Sequence, residues 1–456
     1  MKYVSTRNNS KEYSFEDVFI KGLADDGGLY MPKLLKKYST EELSELKNLN
    51  YNELSTEIIN QFSSDFISRD ELLSLVSKSY STFREKKEVV KLSSVGELKL
   101  LELFHGPTLA FKDVAMQFIG NLYEYYLSKN NKKINIVVAT SGDTGAAAIN
   151  AIKGKSNLNI FVLHPNNKIS SVQRKLMTTV DEKNVFNIAI DGNFDDCQNI
   201  VKQMFSDLEF SKSINMSGVN SINWVRIIAQ TVYYFYSYFK LDKETISFSV
   251  PTGNFGDVFA GYLSKKMGLP IDKLIVATNE NDILHRAISK GDYVSREVKE
   301  TLSPSMDIQL ASNFERLIYY INNSDSEKTA EIMKKVKQNS YQIEKNNLDI
   351  IQKDFLSESC NEQETLDIIK KNYEENNIIL DPHTAVGVGA AKKLSFNDCV
   401  VLSTAHPCKF PDATNNAINK HEKLPKELQH VLDNEENFQV LKNNTDEVKN
   451  FVKSKV

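Results

Sequence analysis

From about residue 95 onward, short runs of β-branched residues alternate with segments of helix length. This alternation limits the fold more than any other feature, because strands that alternate with helices form parallel sheets covered by helices on both faces. The predicted strands are 98–104, 134–140, 160–164, 185–190, 246–250, 274–278 and 399–403. The predicted helices between them are 143–153, 170–180, 194–210, 223–239 and 255–267. The number of repeats indicates more than one sheet.

The two ends of the chain lack this alternation. Residues 1–92 are predicted to form a mostly helical domain, and residues 415–456 a polar helical appendage. Residues 325–375 are rich in Lys, Glu and Asn, with a helical pattern and little strand signal. A chain of 456 residues is too long for one ordinary hydrophobic core, so two or three domains are expected.

The overall charge and the cysteines exclude several classes of protein. The net charge of −4 favours neither nucleic acid nor an anionic membrane as a partner. No apolar run reaches the roughly 18 residues of a membrane span, and the polar first ten residues show no secretory signal. The cysteines lack zinc-site spacing and no HExxH motif occurs, so no metal site is predicted. Four reduced thiols in a chain of this length indicate a cytoplasmic protein.

A lysine at the start of a predicted helix is the first candidate for chemistry. The stretch Glu102–Asp113 (ELFHGPTLAFKD) leads from a predicted strand through a Gly-Pro turn to Lys112. The positive charge of Lys112 opposes the positive end of the helix dipole, and chains usually place lysine near the other end. A desolvated lysine amine can form a Schiff base with a carbonyl group. The alternative is a solvated surface lysine.

Two further turns have the strand–turn–helix form that binds anions. The first is Ala139–Ala146 (ATSGDTGA), and the second is Pro251–Asp257 (PTGNFGD). Their glycines let the main chain approach a ligand closely, and the helix N-terminus offers free N–H groups to a phosphate or carboxylate. Tight strand-to-helix connections also use glycine for packing alone, so each turn leaves that alternative open. Neither turn fits a dinucleotide or Walker nucleotide motif.

Two other polar segments lie at the ends of predicted elements. Thr404–Phe410 (TAHPCKF) follows a predicted strand, at the end where α/β proteins bind ligands. His406 in this segment is either catalytic or a structural residue beside a proline. Asn223 and Arg226 lie three residues apart on one face of a predicted helix. Arg226 there can clamp a phosphate through two hydrogen bonds, and the alternative is an ordinary surface ion pair.

Together these segments resemble the threonine synthase family, whose members are pyridoxal-phosphate enzymes of the tryptophan-synthase-β-like fold. The close matches are Glu102–Asp113, Ala139–Ala147, Asn220–Arg226, Pro251–Asp257 and Thr404–Phe410, with weaker matches at 22–32 and 168–170. They occur in order from residue 22 to residue 410, so the resemblance covers nearly the whole chain. The helical opening domain is similar to that of the longer, bacterial and fungal type.

The resemblance implies a fold with two parallel or mixed α/β sheet domains flanked by helices, in addition to the mostly helical N-terminal domain of residues 1–92. Residues 93–456 would form the catalytic region that binds pyridoxal 5′-phosphate. Within it, a smaller α/β subdomain is expected at about 115–240, and the remainder forms the larger subdomain.

The resemblance also implies roles for individual residues. Lys112 matches the catalytic lysine that forms the Schiff base with pyridoxal 5′-phosphate. Thr404 stands where the family places a hydroxyl partner for the pyridine nitrogen, and Asp143 near the 3′-oxygen of the cofactor. The turn that resembles the cradle of the cofactor phosphate consists of Gly253, Asn254, Phe255, Gly256 and Asp257. The implied substrate-binding residues are Ser141, Thr144, Lys168, Asn223 and Arg226.

The implied reaction converts O-phospho-L-homoserine and water to L-threonine and phosphate, as the last step of threonine biosynthesis. Such a lyase, acting as a monomer or homodimer, must hold two phosphates, and the two anion-binding turns with extra Lys and Arg suit that need. Four alternatives stay open: a serine/threonine dehydratase that depends on pyridoxal phosphate, a cysteine-synthase-like β-replacement enzyme, a phosphohomoserine lyase that gives 2-oxobutyrate, and a ligand-binding or regulatory homologue without turnover. The product distinguishes the enzymes.

Overall fold

The structure is a computed structural model that describes residues 1–85 and 88–456. Its strands, in chain order, are β1 (Tyr3–Ser5), β2 (Tyr30–Pro32), β3 (Lys91–Val95), β4 (Leu98–Glu102), β5 (Ile134–Ala139), β6 (Leu158–Pro165), β7 (Val185–Asp191), β8 (Met216–Ser217), β9 (Ile246–Pro251), β10 (Ile271–Thr278), β11 (Phe355–Ser359), β12 (Val400–Ser403) and β13 (Gln439–Lys442).

The α-helices, in chain order, are α1 (Phe15–Lys21), α2 (Thr40–Leu46), α3 (Tyr51–Ser63), α4 (Arg69–Tyr80), α5 (Lys112–Asn130), α6 (Asp143–Ile152), α7 (Ser171–Thr178), α8 (Phe194–Ser206), α9 (Leu208–Ser213), α10 (Trp224–Phe239), α11 (Gly256–Lys266), α12 (Ile283–Lys290), α13 (Phe314–Ile321), α14 (Ser326–Lys337), α15 (Lys345–Asp354), α16 (Glu362–Asn376), α17 (Pro382–Lys393), α18 (Pro411–Ile418) and α19 (Thr445–Lys453). Short 3-10 helices span Pro304–Met306, Pro407–Lys409 and Lys426–Leu432. Within the described residues, no helix combines the length and the apolar character needed to cross a membrane.

The chain forms two compact units. The first contains Met1–Ser77, Phe83–His105 and Ser221–Glu422, and the second contains Lys78–Thr82, Gly106–Asn220 and Lys423–Val456. The domain limits expected from the sequence, at residues 92, 115, 240 and 415, follow changes in residue pattern along the chain and stay predictions.

The first unit contains a six-stranded sheet in the order β11-β10-β9-β12-β4-β3. Its neighbouring strands are parallel except for β3 and β4, which form an antiparallel hairpin. Every residue of β9 and β12 is buried, as expected for central parallel strands covered on both faces. Because β9 and β12 are parallel neighbours, their carboxyl ends lie at the same edge of the sheet, where α/β proteins bind ligands.

The first unit also holds the opening segment, in which α1 to α3 accompany the two-stranded antiparallel sheet of β1 and β2. Local sequence explains why these helices begin where they do. Ser14 and Asp17 form a capping box at the start of α1, and Asn50 and Glu53 form another at the start of α3. Each box satisfies main-chain N–H groups that a helix N-terminus otherwise leaves without partners.

The second unit contains a five-stranded parallel sheet in the order β13-β7-β6-β5-β8. β5 occupies an inner position and ends at Ala139, directly before the first glycine-containing turn. The hydrophobic core of the second unit includes Val137 of β5, Phe161 of β6, Ile188 of β7 and Val448 of α19. The end of the chain therefore helps to build the sheet that positions this turn.

Three sequence expectations were wrong in detail. The segment 325–375 contains β11, and the segment 415–456 contains β13; both are strands at sheet edges, formed by pairing with β10 and β7 rather than by a pattern of their own. The helix predicted at 194–210 is two helices, α8 and α9, because Asp207 leaves the helical conformation and its Oδ1 accepts a hydrogen bond from the N–H of Phe210.

Candidate active site

Lys112 is the first residue of α5 and is buried, with 8% of its surface exposed. The turn before it is held by Asp113, whose carboxylate accepts hydrogen bonds from the N–H of Thr108 at 2.7 Å and from its hydroxyl at 2.6 Å. Within this turn, the buried Leu109 has a left-handed φ of +63°. Strain of this kind persists only where neighbouring contacts impose it, and it is concentrated at functional sites. Because Lys112 is buried at the end of this turn, it is not a solvated surface lysine.

The amine of Lys112 faces a buried carboxylate. Its Nζ is 3.3 Å from Oδ2 of Asp143, the first residue of α6. Gly120 of α5 allows the two helices to pack closely, since a Cβ there would collide with the main-chain oxygen of Ala151 in α6. That packing fixes the distance between the two helix N-termini. An amine held in this way beside a carboxylate can give up and take back a proton without moving far.

The turn between β5 and α6 is organised by Thr140. Its Oγ1 accepts hydrogen bonds from the N–H groups of Gly142 and Gly145, both at 2.9 Å. The predicted substrate-binding residues Ser141 and Thr144 flank Asp143 and are partly exposed, so a ligand can reach them. Lys168 lies in the loop between β6 and α7 and is exposed.

Sequence reasoning missed Gln173 of α7. This buried side chain donates a hydrogen bond from its Nε2 to Oδ1 of Asp143 at 2.9 Å. Its Oε1 accepts a hydrogen bond from the hydroxyl of Ser170 at 3.0 Å. The available signal was its position one turn after the weakly matching segment 168–170.

In the first unit, the turn between β9 and α11 leaves room for a ligand against the main chain. A Cβ on Gly253 would lie 2.5 Å from the main-chain oxygen of Ser305, so only glycine fits there. Phe255 has a left-handed φ of +62°, and the Nδ2 of Asn313 donates to the main-chain oxygen of Asn254 at 3.0 Å. No side chain in the described residues caps α11. The N–H groups of its first turn are therefore available to an anion.

A buried charged cluster lies under this turn. Oδ1 of Asp257 accepts hydrogen bonds from the hydroxyls of Tyr233 at 2.5 Å and Tyr234 at 2.9 Å, and burial raises the pKa of Asp257 to about 6. Burial lowers the pKa of Arg226 to about 10. Within residues 1–85 and 88–456, the Arg226 guanidinium makes no hydrogen bond, although only 5% of the residue is exposed. Such a group is costly to bury, which indicates an anion as its missing acceptor.

Asn223, by contrast, uses its side chain within the protein. Its Oδ1 accepts a hydrogen bond from the N–H of Val225 at 3.0 Å and so caps α10. Its Nδ2 donates to the main-chain oxygen of Phe19 at 3.1 Å, which ties α1 to α10. The structure thus gives Asn223 a capping and anchoring role, and its substrate-binding role stays a prediction.

Thr404 follows β12 and lies at the same sheet edge as the turn after the parallel neighbour β9. It is buried, and its hydroxyl makes no hydrogen bond with any residue in the described part of the chain, so it can bind a ligand. His406 has a structural role instead. Its Nδ1 accepts a hydrogen bond from the N–H of Cys408 at 3.3 Å, and burial lowers its pKa to about 4.

Comparison with known proteins decides the family. The pyridoxal-phosphate dependent enzyme family matches residues 90–336, the threonine synthase N terminus matches residues 2–80, and the threonine synthase C-terminal family matches residues 384–452. Threonine synthase of Saccharomyces cerevisiae is 44% identical, over 94% of this chain and 93% of its own length. Threonine synthase of Pseudomonas aeruginosa is 42% identical, over 99% of this chain and 98% of its own.

The solved structures agree. The crystal structure of pyridoxal-phosphate-bound threonine synthase from Brucella melitensis superposes with a TM-score of 0.97 at 43% identity, over 100% of this chain and 99% of its own. The chain belongs to the threonine synthase family. It is a pyridoxal-phosphate-dependent enzyme, and the predicted α/β fold is confirmed.

Taken separately, each compact unit offers residues that fit a part of the cofactor of the threonine synthase family. A phosphate group needs close approach to the main chain and free N–H groups, and both are found where Gly253 leads into the uncapped start of α11. A pyridine nitrogen needs a hydrogen-bond partner, which the hydroxyl of Thr404 offers. An aldehyde needs a buried amine, which Lys112 provides.

Proposed function

We propose that this chain converts O-phospho-L-homoserine and water to L-threonine and phosphate, the last step of threonine biosynthesis. The observation that carries this proposal is the buried pair of Lys112 and Asp143, 3.3 Å apart at the N-termini of two tightly packed helices. A surface lysine has no need of such a partner. The near-complete match to threonine synthases supports the choice of reaction.

We assign the cofactor contacts residue by residue. Bound pyridoxal 5′-phosphate supplies an electron sink that stabilises carbanions. Lys112 would be its attachment point, the hydroxyl of Thr404 would bind its ring nitrogen, and Asp143 would interact with its 3′-oxygen. The main chain of Gly253, Asn254, Phe255 and Gly256 holds its phosphate. Asp257, the last residue of this turn, is held in place by hydrogen bonds from the hydroxyls of Tyr233 and Tyr234.

Lys112 also acts as the proton carrier of the reaction. A free amine of Lys112 takes a proton from one substrate carbon and returns it to another, which is general acid–base catalysis by a positioned side chain. The carboxylate of Asp143 stabilises the ammonium form between these transfers, since its Oδ2 lies 3.3 Å from Nζ.

We assign the substrate phosphate and carboxylate to Ser141, Thr144, Lys168, Asn223 and Arg226. Arg226 has the strongest support, because its buried guanidinium lacks a hydrogen-bond acceptor in the described residues and a phosphate would supply one. Ser141 and Thr144 offer partly exposed hydroxyls beside Asp143. Asn223 has the weakest support, because both ends of its amide already bind main-chain groups.

Product analysis tests the reaction. The purified protein, loaded with pyridoxal 5′-phosphate, is incubated with O-phospho-L-homoserine while threonine, 2-oxobutyrate and phosphate are measured together. Equal amounts of phosphate and threonine are expected. Phosphate with 2-oxobutyrate would instead identify a phosphohomoserine lyase. No turnover, with no visible absorption from the cofactor, would identify a ligand-binding homologue.

We further propose that the enzyme acts in the cytoplasm as a monomer or homodimer. The four cysteines, Cys197, Cys360, Cys399 and Cys408, are all buried and unpaired, which suits a reducing compartment. Cell fractionation tests the compartment, and light scattering of the purified protein tests the assembly.

A further inference from the structure

We propose that Gln173 is a positioning residue that holds the Asp143 carboxylate against the Lys112 amine, an inference that rests on the proposed function. Nε2 of Gln173 donates to Oδ1 of Asp143 at 2.9 Å, while Oδ2 of the same carboxylate lies 3.3 Å from Nζ of Lys112. The two oxygens of Asp143 thus have separate partners. A carboxylate held at one oxygen does not rotate freely, so its other oxygen stays directed toward the lysine.

The chemistry of the groups sets the orientation of the Gln173 amide. An ionised carboxylate only accepts hydrogen bonds, so the NH₂ group of Gln173 is the one that faces Asp143. On the other side, the hydroxyl of Ser170 donates to Oε1 of Gln173 at 3.0 Å. Oγ of Ser170 also accepts the main-chain N–H of Gln173 at 3.3 Å, which caps α7. The amide is therefore fixed at both ends.

The helix that carries Gln173 is itself fixed within the second unit. Arg174, the next residue, binds both carboxylate oxygens of Glu436, at 2.8 Å and 3.0 Å. Thr178, one turn later, donates its hydroxyl to Oε1 of Glu436 at 2.7 Å. A residue that positions another must be held by its own surroundings, and α7 meets this condition through the C-terminal segment.

The expected consequence concerns the charge on the Lys112 nitrogen. Without the hydrogen bond from Gln173, the Asp143 carboxylate is free to turn away, and the positive charge on Lys112 is less stabilised. Proton transfer by Lys112 then loses its aligned partner, which slows the chemical step more than it weakens substrate binding. A purely structural Gln173 would change stability alone.

Two substitutions and one control separate these roles in the holoenzyme. Gln173→Met keeps the volume and removes the hydrogen bond, and Gln173→Glu places a second carboxylate beside Asp143. The control is Asn187→Leu, because Asn187 donates from Nδ2 to the main-chain oxygen of Met177 in the same helix at 3.1 Å and does not touch Asp143 in the described residues. Each protein is compared by thermal midpoint, by kcat and KM, and by the pH midpoint of the cofactor's visible absorption.

Gln173→Met is expected to lower kcat about tenfold or more with little change in KM. It should lower the absorption midpoint by about half a pH unit, whereas Gln173→Glu should raise it, because more negative charge then faces the Lys112 nitrogen. Asn187→Leu should lower only the thermal midpoint. Gln173 variants that behave like Asn187→Leu would overturn the positioning role. If the wild-type protein itself makes no threonine, the proposed function fails instead, and the absorption midpoints still report on Gln173.

Discussion

The lysine-bearing turn and the anion cradle are built in opposite ways. Around Lys112, carboxylates bind neighbouring side chains: Asp113 binds Thr108, and Asp143 binds both Lys112 and Gln173. The cradle at Gly253 to Gly256 depends on the main chain, with a glycine that admits no side chain and an uncapped helix.

The lysine region is Thr108–Asp113 with Asp143 and Gln173, and the cradle region is Gly253–Asp257 with Arg226, Tyr233 and Tyr234. The two regions differ in how their charged groups are stabilised. The lysine region satisfies its charges internally, so it keeps its geometry with or without a ligand. The cradle region leaves the buried guanidinium of Arg226 without a hydrogen-bond acceptor in the described residues, which costs free energy until an anion binds. Changes in the lysine region should therefore affect the reaction, whereas changes in the cradle region should affect the binding of the cofactor and of the substrate phosphate, and the dependence of stability on pH.

The largest expected effect tests whether Lys112, and not simply any lysine of α5, carries the reaction. Lys112→Ala should lower threonine formation by about 10³-fold and shift the visible absorption of the bound cofactor to that of the free aldehyde, because it removes both the attachment point and the proton carrier. Steady-state kinetics and absorption spectra measure this. Lys129→Ala, which removes an exposed lysine from the same helix α5, is the control and should keep both properties. A residual rate within tenfold of wild type would show that the lysine region does not carry the reaction.

The cradle region should give a pH-dependent stability that centres on Asp257. Burial raises the pKa of Asp257 to about 6 in the folded protein, whereas an unfolded aspartate titrates near about 4. The folded state thus holds this proton more tightly, so the contribution to the free energy of unfolding is present below pH of about 4 and is lost as the pH rises through about 6. The total change is about 3 kcal/mol.

Asp257→Asn removes this titration. The difference in unfolding free energy between wild type and Asp257→Asn, measured by denaturant between pH 4 and pH 8, should fall with rising pH and level off above about 6. Tyr234→Phe sharpens the test, because the hydrogen bond from Tyr234 lowers the pKa of Asp257 and its loss should move the window upward. Parallel curves for wild type and Asp257→Asn would contradict a titrating carboxylate in the cradle region.

Sequence alone predicted those residues of both regions whose pattern is visible within a short stretch of the chain. Lys112 and Gly253 were predicted because a misplaced charge and a glycine-containing turn are visible within a few residues. Gln173 and Tyr233 were missed, because each binds a carboxylate that lies far away in the sequence, at distances of 30 and 24 residues. A buried glutamine or tyrosine on a helix is explained equally well by ordinary packing. Asn223 shows the converse, since an amide at a helix start serves a cap as readily as a ligand.

Edge strands were unpredictable for a related reason. β11 and β13 are short, and their strand conformation comes from pairing with β10 and β7, which are distant in sequence. The inner strands were predicted closely, for example 134–140 against the observed Ile134–Ala139, because their largely buried positions are mostly filled by apolar, often β-branched residues.

A smaller effect tests the close main-chain approach in the cradle. Gly253→Ala would place a Cβ 2.5 Å from the main-chain oxygen of Ser305, which must then move. The expected cost is about 2 kcal/mol, or about 30-fold weaker binding of the cofactor, measured by equilibrium titration of the apoenzyme. Gly96→Ala is the control for a glycine substitution without this close approach: its φ of +58° disfavours alanine, but a Cβ there meets nothing within 4 Å. Equal affinity in both variants would mean that the cradle does not depend on this approach.

The smallest expected effect tests whether the hydrogen bond from Thr108 to the charged Asp113 carboxylate stabilises the turn before Lys112. Thr108→Val removes the 2.6 Å hydrogen bond from the hydroxyl to the Asp113 carboxylate and keeps the main-chain bond at 2.7 Å. A hydrogen bond to a charged acceptor contributes about 1.5 kcal/mol, and one to a neutral acceptor about 1 kcal/mol. Thr329→Val is the matched control, because this buried hydroxyl donates to the main-chain oxygen of Asp325, also at 2.6 Å. If denaturant unfolding gave the same loss for both variants, charge-assisted bonds would not distinguish the lysine region, and its rigidity would have to come from helix packing at Gly120 instead.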